Sequence, residues 1–217
     1  LFFPSQGQTC HAYCSFCFRW AQFVGMQEMK FQASESDDLI AYLRAHEEVS
    51  DLLVTGGDPM VMRTKALRRY LQPLLGAGLD HLQNIRIGTK SVAYWPQRYV
   101  TDPDADDLLR LLEQLVASGR HVAIMGHYSH PRELSTPLAV EAIRRIRSTG
   151  AVLRMQSPVL RHINDDPEVW STMWREGVRH GAIPYYMFVE RDTGPKHYFE
   201  VPLARVLDIH QQAYRSV

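Results

Sequence analysis

Three glycines, Gly119, Gly150 and Gly181, stand 31 residues apart, and each leads at once into a short apolar run: "RHVAIMG", "AVLRMQS" and "AIPYYMF". Each also closes an amphipathic stretch, where a helix calls for a residue that can adopt the left-handed conformation of its C′ position. A helix–glycine–strand unit repeating at this pitch commits the chain to alternating β and α elements. Helix starts are legible too. "TDPD" at 101 and "STP" at 135 set Thr or Asp ahead of a Pro at the first helical position, and "SESDDLIAYL" from Ser34 offers a cap and an acidic first turn.

Read this way, strands fall near 1–6, 51–55, 83–88, 121–126, 151–156 and 183–189, and helices near 35–47, 63–76, 103–118, 136–148, 167–180 and 202–214. Six βα units imply a parallel α/β sheet with helices outside, as a barrel or as a doubly wound sheet. The unusual residues favour the barrel. "CHAYCSFC", "TGGDP", "GTK", "GHYSHP", "QSP" and "VERD" each follow a strand, one per unit. In a partial TIM-type (β/α)6 barrel all six loops surround one mouth, whereas an open sheet scatters them.

With 217 residues, 45% of them hydrophobic, the chain supports one core and is read as a single domain over 1–217. It opens as a strand without an initiator Met, so an excerpt of a longer polypeptide is expected, with flanking segments at both ends. Lys and Arg number 24 and so do Asp and Glu, a balance that argues against a nucleic-acid partner. No apolar run reaches the roughly 20 residues of a membrane span, and no signal peptide is visible.

The three cysteines of the chain, Cys10, Cys14 and Cys17, lie within "TCHAYCSFC". Clustered thiols without a disulfide framework suit a reducing cytoplasm and normally hold a metal. Structural zinc would need a fourth ligand, His11 or a distant histidine, and an electron-carrying [4Fe–4S] centre would need a fourth cysteine. A cubane on three cysteines, with one iron open, is the remaining option. Farther on, "LLVTGGDP" ends an apolar strand in two glycines, which let backbone approach a ligand, and in Asp58, which can accept from an ammonium.

The CxxxCxxC spacing resembles the radical S-adenosylmethionine (SAM) superfamily, and "TGGD" one unit later resembles that superfamily's SAM-binding stretch. The likeness extends to the lysine 2,3-aminomutase family through "CHAYCSFCFR", "VTGGDPM", "IRIGTKSVAYWPQR", "GHYSHPREL", "MQSPVLRHIND", "HGAIPYYMF" and "HYF". The resemblance implies a [4Fe–4S] cluster on Cys10, Cys14 and Cys17, SAM on its open iron, and reductive cleavage to a 5′-deoxyadenosyl radical. It also implies interconversion of α- and β-amino acids with pyridoxal phosphate, and an external reductant such as flavodoxin or ferredoxin. Carried over residue by residue, it gives Phe16 a place near adenine and Arg19 the substrate carboxylate. Thr55, Gly56, Gly57, Asp58, Lys90, His127 and Gln156 come to surround SAM, with Lys90 standing where the family has an arginine. Tyr185 and Tyr186 face the pocket or fill the barrel.

One departure bears on the substrate. Where the lysine enzyme places an aspartate for the distal ammonium, this chain has Arg191, followed by Asp192. A cation there suits an amino-acid-like substrate other than lysine. The family's pyridoxal phosphate lysine falls outside this sequence. A reaction of the same family without that cofactor (dehydrogenation, epimerisation or fragmentation) therefore stays open, as do a zinc or electron-carrier module and a homo-oligomeric state.

Overall fold

The computed structural model describes residues 1–20, 36–76, 78–190 and 194–217. Strands β1 (Asp51–Val54), β2 (Asn84–Thr89), β3 (His121–His127), β4 (Val152–Pro158) and β5 (Ile183–Phe188) pair in parallel in the order of the chain. A doubly wound sheet reverses its strand order at a switch point, and this one does not. Successive right-handed crossovers then put the connecting helices on one face and leave the other as the inner wall of a partial barrel.

The expected first strand shrinks to one bridge. Phe2 pairs with Val54, donating to the Leu53 carbonyl at 2.9 Å and accepting from the Thr55 amide at 2.9 Å. Pro4 has no N–H to extend the ladder, and the chain turns into a 3-10 segment at Ser5–Gln8. The bridge still occupies the sixth place of the barrel, beside β1.

Around the sheet run α1 (Ser36–Ala45), α2 (Thr64–Leu71), α3 (Ser91–Tyr94), α4 (Gln97–Val100), α5 (Ala105–Ala117), α6 (Pro137–Ser148), α7 (Pro167–Arg179), α8 (Lys196–Phe199) and α9 (Leu203–Arg215). The sequence leaves α3, α4 and α8 as loops because four residues are too few to show a helical period. Thr136 caps α6 by accepting from the Ala139 amide at 3.1 Å, as "STP" suggests. "TDPD" behaves differently: Asp104 makes no side-chain cap on α5 but accepts from the Thr64 amide of α2 at 2.6 Å and pairs with the buried Arg98 at 2.8 Å. Ser34, the cap expected for α1, lies outside the described residues.

Alternation along the strands separates two faces. Leu52, Val54, Ile85, Ile87, Ile124, Leu153 and Met155 are buried in the main core with Leu111, Leu112, Ile143, Ile146 and Trp170 of the helices. On the inner face the pairings Met125–Arg154, His127–Gln156 and Gln156–Tyr186 run side by side across β3, β4 and β5. All the strands run in one direction, so the loops after their C-terminal ends gather at one mouth.

The three repeat glycines sit at φ +85°, +84° and +81°. Their surroundings differ. A Cβ on Gly119 would meet nothing within 4 Å, one on Gly150 would lie 2.9 Å from Val116 Cγ1, and one on Gly181 would lie 2.2 Å from Arg147 Cζ. Gly119→Ala should therefore cost only the left-handed conformation, about 1 kcal/mol. Gly150→Ala and Gly181→Ala should cost more. Urea unfolding of the three variants measures the order, and equal losses would mean that the helix ends repack freely.

Candidate active site

The cysteine loop is clamped from both ends onto the turn after β1. The Asp58 amide donates to Gly7 O at 3.1 Å and Thr9 O at 3.0 Å, so residues 7–9 lie directly on the glycine pair. A Cβ on Gly57 would fall 2.2 Å from Gln8 O, and one on Gly56 would fall 2.7 Å from Gly7 O. The glycines therefore admit the chain's own backbone, where the sequence suggests a ligand. From the far end of the loop Arg19 reaches back, donating to Gly56 O and to Gln8 Oε1 at 3.0 Å, with its guanidinium 4.8 Å over the Phe3 ring. The resemblance gives Arg19 a substrate carboxylate; in this structure its fork braces the loop.

Asp58, expected to accept from the SAM ammonium, is likewise bonded within the protein. Its side chain is only 1% exposed and turned inward. Oδ1 accepts from the Met60 amide at 3.0 Å and the Thr89 hydroxyl at 2.6 Å, and Oδ2 accepts from the Lys90 amide at 2.9 Å. Thr89 has one proton and gives it to Asp58, so Ser91 must donate to Thr89 at 2.7 Å and Tyr99 to Ser91 at 2.7 Å. Three buried hydroxyls thus point in series at one carboxylate, each bond polarising the next. Burial pushes the carboxyl up while these donors pull it down, and burial prevails. Asp58 ties β1, β2 and α3 together. Sequence reasoning overlooks Thr89, Ser91 and Tyr99; the run "GTKS" at a strand end signals the first two.

All three thiols are free and half-buried. Burial pushes Cys14 up to about 11 against the pull of the Lys90 ammonium, and raises Cys10 with help from the Asp58 charge. It raises Cys17 too, reinforced by Glu190 and opposed by Arg19. Cys10 feels the Cys17 charge and Cys14 those of Cys10 and Cys17, yet among the described residues no three His, Cys, Asp or Glu side chains are already drawn together as a metal site. The donor set still fits a three-thiolate centre. A metal would displace protons and close the loop around itself.

Above the loop, Phe16 packs 5.7 Å from the His127 ring and 5.9 Å edge-on to Phe199. His127 contacts Ser129 Oγ at 3.1 Å, and burial with the Lys90 charge holds it well below the ordinary histidine range, so it stays neutral. Gln156 and Tyr186 continue its row along the inner wall, while Thr55 lines the rim against Gly88. Lys90, expected near SAM, is ion-paired with Glu133 at 2.8 Å and braces the loop after β3 through Ser129 Oγ at 3.3 Å. A β-bulge beside Gln156 sets Tyr185 out of register, its ring 4.9 Å under Arg154 and 4.0 Å from Tyr186, so both tyrosines line the inner wall. Glu190, which sequence reasoning passes over, has a buried Oε1 without a hydrogen-bond partner among the described residues, and burial raises its carboxyl. Arg191 and Asp192 lie outside the described residues.

A parallel partial barrel with three cysteines at its mouth is the arrangement of a radical SAM protein, and the comparisons agree. The fold matches SuiB of Streptococcus suis (TM-score 0.62, 12% identity, 98% of this chain and 45% of that one). It also matches a radical SAM methyltransferase from Sphaerobacter thermophilus (TM-score 0.58, 14% identity, 94% and 60%). In sequence the chain is 36% identical over 202 residues to an Aquifex aeolicus protein named "Putative L-lysine 2,3-aminomutase", covering 93% of this chain and 52% of the relative. It is 30% identical over 190 residues to glutamate 2,3-aminomutase of Clostridioides difficile (87% and 42%) and 29% over 201 residues to L-lysine 2,3-aminomutase of Bacillus subtilis (92% and 40%). No family model matches. The chain is a radical SAM protein of the lysine 2,3-aminomutase-like family, and it spans about half the length of the curated relatives it matches.

Two measurements test this geometry. Gly57→Ala should push residues 7–9 off the turn and lower the thermal midpoint by several degrees, because backbone oxygens have nowhere to retreat; an unchanged midpoint would mean that the clamp is loose. His127 gives a pH signature. Above about pH 6.5 both folded and unfolded chains carry it neutral, but below that value only the unfolded chain takes the proton. Stability should therefore fall with pH by up to about 1.4 kcal/mol per unit below 6.5, and His127→Asn should remove that component. Urea titrations from pH 7.5 down to 5.5 compare the two proteins.

Proposed function

We propose that this chain is the catalytic core of an enzyme that abstracts a hydrogen atom from an amino-acid-like substrate and isomerises it in the manner of a 2,3-aminomutase. A [4Fe–4S] cluster with SAM supplies, when bound, a 5′-deoxyadenosyl radical. Cys10, Cys14 and Cys17 are the residues to hold the cluster, and the rim of Thr55, Gly56, Phe16, His127 and Gln156 is the place for SAM. The observation that carries the reading is the clamp itself: a three-cysteine loop fixed by Asp58 and Arg19 at the mouth of a parallel half-barrel. Neutral His127 and Gln156 offer uncharged hydrogen-bonding groups there, and the Tyr185–Tyr186 pair walls the pocket with ring faces. Isomerisation of an amino acid is supported by the relatives' names. The lysine that the family gives to pyridoxal phosphate falls outside this sequence, and the proposal routes no step through that cofactor. A one-electron reductant of the flavodoxin or ferredoxin kind completes the scheme. Among the described residues no helix is long and apolar enough to cross a membrane.

For the substrate, Arg191 favours an amino acid other than lysine. Glu190 favours a second reading, because its unpartnered carboxylate oxygen beside Cys17 suits a cationic side chain. One experiment addresses both. The anaerobically reconstituted protein is reduced with SAM and offered L-lysine, acidic and neutral amino acids, each deuterated, and 5′-deoxyadenosine is analysed for deuterium. Transfer from a neutral or acidic substrate supports the Arg191 reading, and efficient transfer from lysine supports Glu190. Cys14→Ala should abolish 5′-deoxyadenosine formation and most iron uptake, and a variant that kept both would overturn the proposal.

A further inference from the structure

Helix α3 is fixed at both ends. Ser91, at its start, belongs to the hydroxyl chain that ends on Asp58, and Trp95, just past its end, lies 6.1 Å from the ring of His11, the residue after Cys10. Between them Tyr94 carries its hydroxyl toward the cysteine loop, within electrostatic reach of both Cys10 and Asp58. That hydroxyl oxygen is buried and has no hydrogen-bond partner among the described residues. The His11 backbone N–H faces it without reaching bonding geometry and, being a donor, gives the hydroxyl proton nothing to bind.

A buried hydroxyl without an acceptor costs free energy that phenylalanine would avoid. Tyrosine is therefore a poor choice for this position in the metal-free protein. Its proton would gain an acceptor once Cys10 became a thiolate, since a thiolate sulfur accepts where a buried, protonated thiol is a weak partner. Asp58 is the competing acceptor, but both its oxygens are already bonded to internal donors.

We infer that the Tyr94 hydroxyl donates a hydrogen bond to the Cys10 sulfur in the cluster-loaded protein, making Tyr94 a positioning residue that holds this ligand and sets the potential of the centre. The inference rests on the cluster reading above. Hydrogen bonds to cluster sulfurs stabilise the reduced, more negative form and raise its potential.

The test is Tyr94→Phe, which removes one oxygen atom and keeps the ring. Three quantities are measured on the whole chain: the thermal midpoint of the metal-free protein, the reduction potential of the reconstituted cluster followed by electron paramagnetic resonance, and the rate of iron loss to a chelator. The expected pattern has opposite signs in the two states. The metal-free variant melts at the same temperature as wild type or higher, while its cluster has a more negative potential and loses iron about fivefold faster. A lower midpoint for the metal-free variant would show that the hydroxyl bonds within the protein, as to Asp58, and would overturn the inference. So would a cluster with unchanged potential and unchanged iron release. A wild-type chain that takes up no iron–sulfur cluster would sink the parent reading along with this one, which separates the two failures.

Discussion

A buried carboxylate is costly unless donors surround it, and the mouth of this barrel is organised by meeting that requirement at Asp58. The donors come from the turn after β1, from Thr89 at the end of β2 and from the Lys90 amide beyond it, so satisfying one side chain fixes the relative height of two strands and the start of α3. The same residue's amide holds residues 7–9, and the two glycines before it leave them room. The cysteine loop therefore inherits its position from an interaction containing no cysteine. Arg19 closes the arrangement from the other side, donating to Gly56 O and Gln8 Oε1.

Much of this was legible in the residues. The 31-residue glycine pitch yields the alternation and three strands, β3 to β5, since it reflects a local requirement, a left-handed helix end, that neighbours cannot override, and β1 and β2 show as apolar runs. Pro4 explains the sixth: the apolar run at 1–6 suggests a strand, but a residue without an N–H halts the ladder after one bridge. Strand order, the feature that decides between barrel and doubly wound sheet, is a long-range property with no signature in periodicity.

At the site the residue types were legible and their orientations were not. The two glycines, the aspartate and the arginine all sit at the mouth, yet Asp58 and Arg19 turn toward the protein. A motif names the residues that a turn brings near a ligand; it does not say which of their atoms the fold has already used. Glu190 and Tyr94 show the converse. Both lie in stretches the sequence singles out, "IRIGTKSVAYWPQR" and "VERD", but what marks the two residues themselves is an oxygen left without a partner among the described residues.

The bulge at Tyr185 has a consequence of its own. A strand without it would send odd-numbered residues of β5 to one side throughout, whereas the extra residue reverses the parity from Tyr186 onward. Before the bulge Pro184 pairs with Met155 on the helix side; after it Tyr186 and Phe188 pair with Gln156 and Pro158 on the inner wall. The lining of the far wall is thus written by a count. Straightening the strand with every residue kept would exchange Tyr186 and Phe188 for Tyr185 and Met187 opposite Gln156 and Pro158, whereas deleting Tyr185 would leave the pairs of Tyr186 and Phe188 as they are. Loss of the bulge alone can therefore rewrite the pocket as thoroughly as several substitutions.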